Sequence, residues 1–242
     1  MERDNHAHSW LGDTLRAHAL QFKSPLAPTH GQAVGNRILV SFLVVGIGAF
    51  FVLRFVLDGL GVSGLPVANL IVVVALLAVF VVAQRTFVDS PMASVGLRRF
   101  VDWTRRERMY FFQVVPLASV VFAIVFGGHL QALLARHDVA GFLLFSVFTG
   151  LIWGMVQEFF YRGWLQTELT RRFGAIIGLL LANIVFTLGP LHLNYLTGPA
   201  GVHWGGLAAV FGIGLFFGII YARSGNLWIP AVMHGIWPPN MS

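Results

Sequence analysis

The sequence has no cysteine and little charge. The absence of cysteine among its 242 residues excludes disulfide bonds, cysteine-ligated zinc and thiol nucleophiles. Only 11% of the residues are charged, whereas soluble domains carry about 25%. Hydrophobic residues make up 57% of the chain. This balance excludes a soluble globule and indicates an all-α membrane protein, because a helix satisfies its own backbone hydrogen bonds in lipid.

Long apolar runs dominate the sequence from residue 38 onward. Crossing about 30 Å of hydrocarbon takes about 20 apolar residues, and six runs approach or reach that length. A seventh is too short to span and predicts a closing half-helix buried against its neighbours. We therefore expect a polytopic bundle of about seven or eight helices. The predicted spans are 38–57, 66–83, 111–134, 140–165, 175–191 and 207–221, and the half-helix is 227–237.

The distribution of charge predicts the domain organisation and the orientation. Residues 1–36 form a polar leader without the apolar core of a signal peptide, and part of it could be an amphipathic surface helix. Residues 37–242 are interpreted as one transmembrane domain. Lys and Arg concentrate before the first span and after the second, fourth and sixth, which predicts a cytoplasmic amino terminus. We expect a multi-pass protein, and the cell (inner) membrane is its expected location. The basic residues flank apolar runs, so the expected partner is the lipid bilayer and not nucleic acid.

Acidic residues are scarce in the second half of the chain. The only acidic residues in the sequence from 139 to 242 are Glu158 and Glu168. Glu158 lies within an apolar run, and Arg162 follows four residues later on the same helix face. A charge at bilayer depth costs about 3 to 17 kcal/mol, so an intramembrane carboxylate is a functional-site hypothesis. The alternative is a buried ion pair that only joins two helices.

Three histidines share that half of the chain: His192, His203 and His234. A carboxylate with two imidazoles suits water activation, because one group can accept a proton while another donates to the developing oxyanion. His203 is interpreted as an interfacial residue. One glutamate and two histidines could also hold zinc with an open fourth position, the set then being Glu158, His192 and His234. No HExxH pair is present, and metal-free hydrolysis is the favoured reading.

Three segments together resemble a known family. The stretch QEFFYRG (157–163) resembles the EExxxRG signature of the CAAX protease and bacteriocin-processing (CPBP) intramembrane proteases, the group that contains the Ras-converting CAAX endopeptidase. FTLGPLH (186–192) is similar to the family's FxxxH helix. GIIYARSGNLWIPAVMHGIWPPN (218–240) is similar to its closing segment, and SVGLRRFVDW precedes the third predicted span. The resemblance runs from about residue 94 to the end of the chain.

The resemblance implies an α-helical bundle around a water-accessible cavity and a membrane-anchored protein or peptide as substrate. It also implies roles for individual residues. A motif glutamate, here Glu158, and His192 would activate water. His234 would donate to the oxyanion, and Arg162 would hold the glutamate helix in place. Pro238 occupies the expected asparagine position, so Asn240, two residues later, is the candidate for the supporting asparagine.

One departure from the family pattern leaves two functions open. The first glutamate of the signature is Gln157 here, and an amide cannot act as a general base. The chain could be an intramembrane endopeptidase that relies on Glu158. Alternatively it could be a catalytically inactive family member, naturally or through a Glu-to-Gln change, that binds or scaffolds a membrane partner.

Overall fold

The structure, a computed structural model, describes residues 32–62, 65–125, 147–189, 192, 197–198 and 201–236. In these ranges the chain forms seven helices, which confirms the predicted all-α bundle. Residues 1–31 of the predicted leader (1–36), residues 126–146 and Asn240 lie outside the described residues, and the last five residues of the leader begin the first helix. The helices are α1 (32–59, with a π-helical segment Phe42–Ala49), α2 (Pro66–Thr86), α3 (Arg105–Val125), α4 (149–173, with a π-helical segment Phe159–Gln166), α5 (Ala175–Leu188), α6 (Trp204–Ser224) and α7 (Trp228–Ile236).

Three of the described helices are long and apolar enough to cross a membrane. They are Ala33–Gly59 of α1, Val67–Thr86 of α2 and Trp204–Ser224 of α6, and the shorter α5 is also apolar. Their outer faces carry exposed large apolar side chains, as lipid contact requires. The nine-residue α7 corresponds to the predicted closing half-helix. Several helices extend beyond the predicted apolar runs, because a helix continues into its polar flanks; α4 reaches Phe173 instead of ending near residue 165.

Helix α4 occupies the centre of the bundle, and its residues 154–168 are all buried. The ring of Phe160 stacks on Phe42 of α1 at a centroid distance of 4.0 Å, and Phe159 stacks on Phe80 of α2 at 5.8 Å. Gly46 makes the first contact feasible, because a Cβ at that position would overlap the Phe160 ring. The helix that carries the QEFFYRG motif is therefore enclosed by other helices.

A polar cluster ties the segment before α3 to the turn before α7. Glu107, only 2% exposed, forms an ion pair of 2.6 Å with Arg98 and accepts a hydrogen bond of 3.0 Å from the Asn226 amide. The backbone N–H of Leu227 donates to the carbonyl of Gly96 at 3.0 Å. A buried charge persists only when it is paired and hydrogen-bonded, so this cluster fixes where α7 begins.

A small hairpin precedes α6. Strand β1 (Thr197–Gly198) pairs antiparallel with β2 (Gly201–Val202). His203 follows this hairpin, and its Nδ1 accepts a hydrogen bond of 3.0 Å from the Gly206 N–H at the start of α6. This is the contact of a helix N-cap. In the structure His203 is thus a local capping residue.

Candidate active site

The backbones of α4 and α7 pack against each other at two glycines. A Cβ at Gly154 would lie 2.5 Å from the carbonyl oxygen of Ala231, and a Cβ at Gly235 would lie 2.5 Å from the Cα of Leu151. Neither helix could approach so closely with a larger residue there, the usual reason for small residues between membrane helices. His234 precedes Gly235, and Glu158 lies one turn beyond Gly154. The glycine contact therefore brings these two side chains together.

Glu158 binds both His234 and Arg162. Its Oε1 lies 2.9 Å from Nδ1 of His234, and its Oε2 lies 3.3 Å from Nε of Arg162. The Glu158 side chain is 0% exposed, whereas that of His234 is 18% exposed. Arg162 also donates from Nη2 to the carbonyl of Gly214 in α6 at 2.7 Å. The arginine thus compensates the carboxylate and joins α4 to a neighbouring helix.

Phe186 is the common neighbour of the cationic and imidazole side chains. Its ring centroid lies 4.3 Å from the guanidinium carbon of Arg162, a cation–π distance. The ring of His192 packs on Phe186 at 4.3 Å and that of His234 at 6.2 Å. The Nδ1 of His192 lies 2.7 Å from the Phe186 carbonyl oxygen and donates to it, since a carbonyl only accepts. From the sequence, Phe186 was identifiable only as the first residue of a motif.

Helix α5 ends before His192. It stops at Leu188, and the His192 N–H donates to the carbonyl of Gly189 at 3.0 Å. The imidazole of His192 packs against the ring of Phe186, six residues earlier in the chain.

The π-helical segment Phe159–Gln166 changes the register of α4 just after Glu158. Its hydrogen bonds reach five residues back instead of four, and such segments are frequent at functional sites. The Thr167 hydroxyl donates to the Arg162 carbonyl at 3.0 Å, which satisfies one acceptor in the altered turn. A pattern based on 3.6 residues per turn does not predict this register.

Gln157 is buried beside this cluster and is 4% exposed. Among the described residues its Oε1 has no hydrogen-bond partner. Consecutive residues of a helix point about 100° apart, so the side chains of Gln157 and Glu158 leave the helix in different directions. Other buried atoms of the site also make no hydrogen bond within the described part of the chain: Glu158 Oε2, Arg162 Nε and Nη1, and Asn183 Oδ1. Such atoms can bind water or a substrate amide.

The donor set does not fit the three-ligand zinc site considered from the sequence. In the part of the chain that the structure describes, no three His, Asp or Glu side chains are placed to hold a metal ion. The Glu158 oxygens face an imidazole N–H and a guanidinium, whereas a zinc ligand must direct a lone pair at the cation. As placed among the described residues, Glu158, His192 and His234 do not form a three-ligand group.

We expect Gly235→Ala to destabilise the protein. The added methyl meets backbone atoms of α4, which cannot rotate away, and overpacking of this kind costs about 1 to 3 kcal/mol. The matched control is Gly212→Ala in α6, where a Cβ meets nothing within 4 Å. Thermal melting in detergent measures both variants. Equal melting temperatures of the two variants would show that the backbones of α4 and α7 do not approach each other as closely as described here.

Comparison with known proteins agrees with the motif resemblance. Residues 139–238 match the model of a family described as Type II CAAX prenyl endopeptidase Rce1-like. No curated protein and no solved structure gives a match to the chain. The matched range contains Arg162, His192 and His234, which lie around Phe186, and Glu158, which contacts Arg162 and His234. Over residues 139–238, the chain is therefore similar to the CAAX protease and bacteriocin-processing (CPBP) group, as the three motifs indicate.

Proposed function

We propose that the chain is an intramembrane endopeptidase that hydrolyses a peptide bond of a membrane-anchored or lipid-associated substrate. The observation that carries the proposal is the hydrogen bond between Glu158 and His234 inside an apolar helical bundle. A buried carboxylate is costly in such a setting, and Arg162 alone would suffice to neutralise it. The additional imidazole, partly exposed, gives the pair a route for moving a proton.

Peptide hydrolysis requires a proton acceptor for water, stabilisation of the oxyanion, and a proton for the leaving amine. Glu158, His192 and His234 supply the groups that can exchange protons. The family resemblance gives water activation to Glu158 with His192 and oxyanion donation to His234. Arg162 holds the glutamate, and Gln157 and Asn240 are supporting polar residues. We propose that no resident metal takes part, since both Glu158 oxygens face cationic or N–H groups of the protein.

The proposed setting is the cell (inner) membrane, with the amino terminus in the cytoplasm. Contacts between the basic segments support their placement on the same side of the membrane. Arg98, in the segment between α2 and α3, donates to the carbonyl of Gly225 in the α6–α7 turn at 3.2 Å. Arg172 at the end of α4 donates to Asn36 near the start of α1 at 2.7 Å. Positively charged loops that meet on one side are typical of a cytoplasmic face.

Gln157 favours a second candidate function. The amide stands where the family signature has a glutamate, and Glu158 with Arg162 could serve as a structural pair. In this alternative the chain is a catalytically inactive member that binds or scaffolds a membrane protein.

Replacing Gln157 with glutamate separates the two candidates. If the wild type is an endopeptidase, Gln157→Glu is expected to leave turnover unchanged or to lower it, because it places a second carboxylate beside Glu158. Cleavage of a panel of membrane-anchored peptides by protein reconstituted in vesicles measures this, with Gln157→Met as the uncharged control. An inert wild type together with an active Gln157→Glu would establish the inactive form, since a general base typically contributes about 10² to 10⁴-fold.

A further inference from the structure

We propose that His234 is the general base that takes a proton from the attacking water, and that Glu158 is the positioning residue that orients it. This inference rests on the proposed endopeptidase function. It reverses the roles implied by the family resemblance, in which His234 donates to the oxyanion. It also gives the chain a base of its own although residue 157 is glutamine.

The hydrogen bond between the two side chains fixes the position of the imidazole proton. An ionised carboxylate only accepts hydrogen bonds, and the guanidinium of Arg162 at 3.3 Å compensates its charge. Nδ1 of His234, 2.9 Å from Glu158 Oε1, must therefore be the donor. A neutral imidazole carries a single proton, which leaves a lone pair on Nε2. Such a nitrogen accepts a proton from water and cannot donate one to an oxyanion.

Exposure distinguishes the two members of the pair. The His234 side chain is 18% exposed and the Glu158 side chain 0%. The described residues form no hydrogen bond to Nε2 of His234, whereas both Glu158 oxygens face cationic or N–H groups. The imidazole is therefore the more accessible member of the pair, and in our proposal Glu158 acts through His234.

Aromatic rings restrict the orientation of the imidazole. Phe217 of α6 lies 5.2 Å from the His234 ring at an interplanar angle of 33°, and Phe186 of α5 lies 6.2 Å away at 77°. Together with the Glu158 hydrogen bond and the glycine contact next to His234, these rings hold Nε2 in one direction. A base held in place before substrate binds needs little reorganisation during the reaction.

The proposed step is balanced in protons and electrons. The water oxygen forms a bond to the scissile carbonyl carbon while Nε2 of His234 accepts one water proton, and the π electrons of the carbonyl move onto its oxygen. When the carbonyl re-forms, the carbon–nitrogen bond breaks and the proton on Nε2 passes to the leaving nitrogen. Glu158 stays ionised and stabilises the transient imidazolium, as a carboxylate does in a hydrolytic triad.

The first test is spectroscopic and does not depend on activity. Wild-type protein labelled with ¹⁵N-histidine in lipid nanodiscs is compared with His234→Gln to identify the His234 ring signals. At a pH where the ring is neutral, we expect a protonated Nδ1 and an unprotonated Nε2. A proton on Nε2, alone or in addition to one on Nδ1, would overturn the assignment.

Glu158→Gln tests the positioning role. Arg162 only donates, so it directs the amide oxygen of the new side chain toward itself and leaves the NH₂ group facing Nδ1. Nδ1 must then accept, and the His234 proton moves to Nε2. We expect the ¹⁵N spectrum to show an unprotonated Nδ1 and a protonated Nε2. We also expect kcat to fall while KM changes little. Unchanged ring signals together with unchanged kcat would remove the positioning role.

His234→Gln distinguishes a base from an oxyanion donor. The glutamine amide can donate a hydrogen bond at about the reach of Nε2, but it cannot accept a proton. If His234 is the base, kcat is expected to fall about 10² to 10⁴-fold. Turnover within about tenfold of wild type would show that donation is sufficient and overturn the inference. Thermal melting confirms that the variant is folded, and the wild-type spectrum tests the inference even if it is not.

Failure of the inference and failure of the proposed function give different results. A cleaving wild type with an equally active His234→Gln rejects the base assignment and keeps the endopeptidase. Cleavage by Gln157→Glu but not by wild type rejects the base assignment in favour of a missing glutamate. If neither protein cleaves any peptide of the panel, the endopeptidase function itself fails, and with it the role of His234.

Discussion

His234→Ala is expected to abolish most turnover while the helical bundle stays folded. The substitution removes the imidazole from Glu158, and loss of a group that transfers protons costs about 10² to 10⁴-fold in rate. The effect on stability is smaller, because Arg162 still compensates the carboxylate and the His234 side chain is partly exposed. A hydrogen bond to a charged group contributes about 1.5 to 3 kcal/mol. Peptide cleavage in vesicles and thermal melting in detergent measure the two effects separately.

The control for this prediction is a histidine outside the cluster. His203 caps α6, and His203→Asn keeps an acceptor for the Gly206 N–H because asparagine is also a good N-cap residue. We expect its turnover and melting temperature to match those of wild type. Near-normal turnover by His234→Ala would contradict a catalytic role for His234, whether as general base or as oxyanion donor.

The sequence predicted the helical bundle because apolar length is a local property. Runs of apolar residues marked α1, α2, α5 and α6, and the short run after Leu227 marked α7. The contact of Glu158 with Arg162 was also predictable, since residues four apart share a helix face. Each of these inferences depends on residues that are close in the sequence.

The geometry of the site depended on information that is not local. The contact of Glu158 with His234 joins residues 76 positions apart and is set by the packing of Gly154 against Gly235. Apolar periodicity does not reveal the π-helical register after Glu158. The ion pair of Arg98 with Glu107, which fixes the start of α7, likewise joins a loop to a helix. The residue types therefore indicated the chemistry. The tautomer of His234 and the exposure of the Glu158 and His234 side chains could be inferred only from the structure.

Arg162→Ala is expected to lower the stability of the whole bundle by about 3 to 5 kcal/mol, the usual effect of removing one partner from a buried pair. The variant leaves Glu158 without its compensating cation. It also removes the hydrogen bond to the Gly214 carbonyl and the contact with the Phe186 ring. Folded yield and melting temperature in detergent should fall together with activity, and by more than in His234→Ala.

A double variant separates the loss of compensation from the loss of packing. Glu158→Met combined with Arg162→Met removes both charges and keeps most of the side-chain volume, and replacing a buried pair by apolar groups is often neutral or stabilising. We expect this protein to melt above Arg162→Ala and to be inactive, because His234 has lost the carboxylate that orients it. A fully stable but inactive Arg162→Ala would instead mean that the guanidinium acts on the substrate or the transition state. In that case the four buried atoms of Glu158, Arg162 and Asn183 that make no hydrogen bond within the described residues would belong to a substrate-binding surface and not to the support of the base.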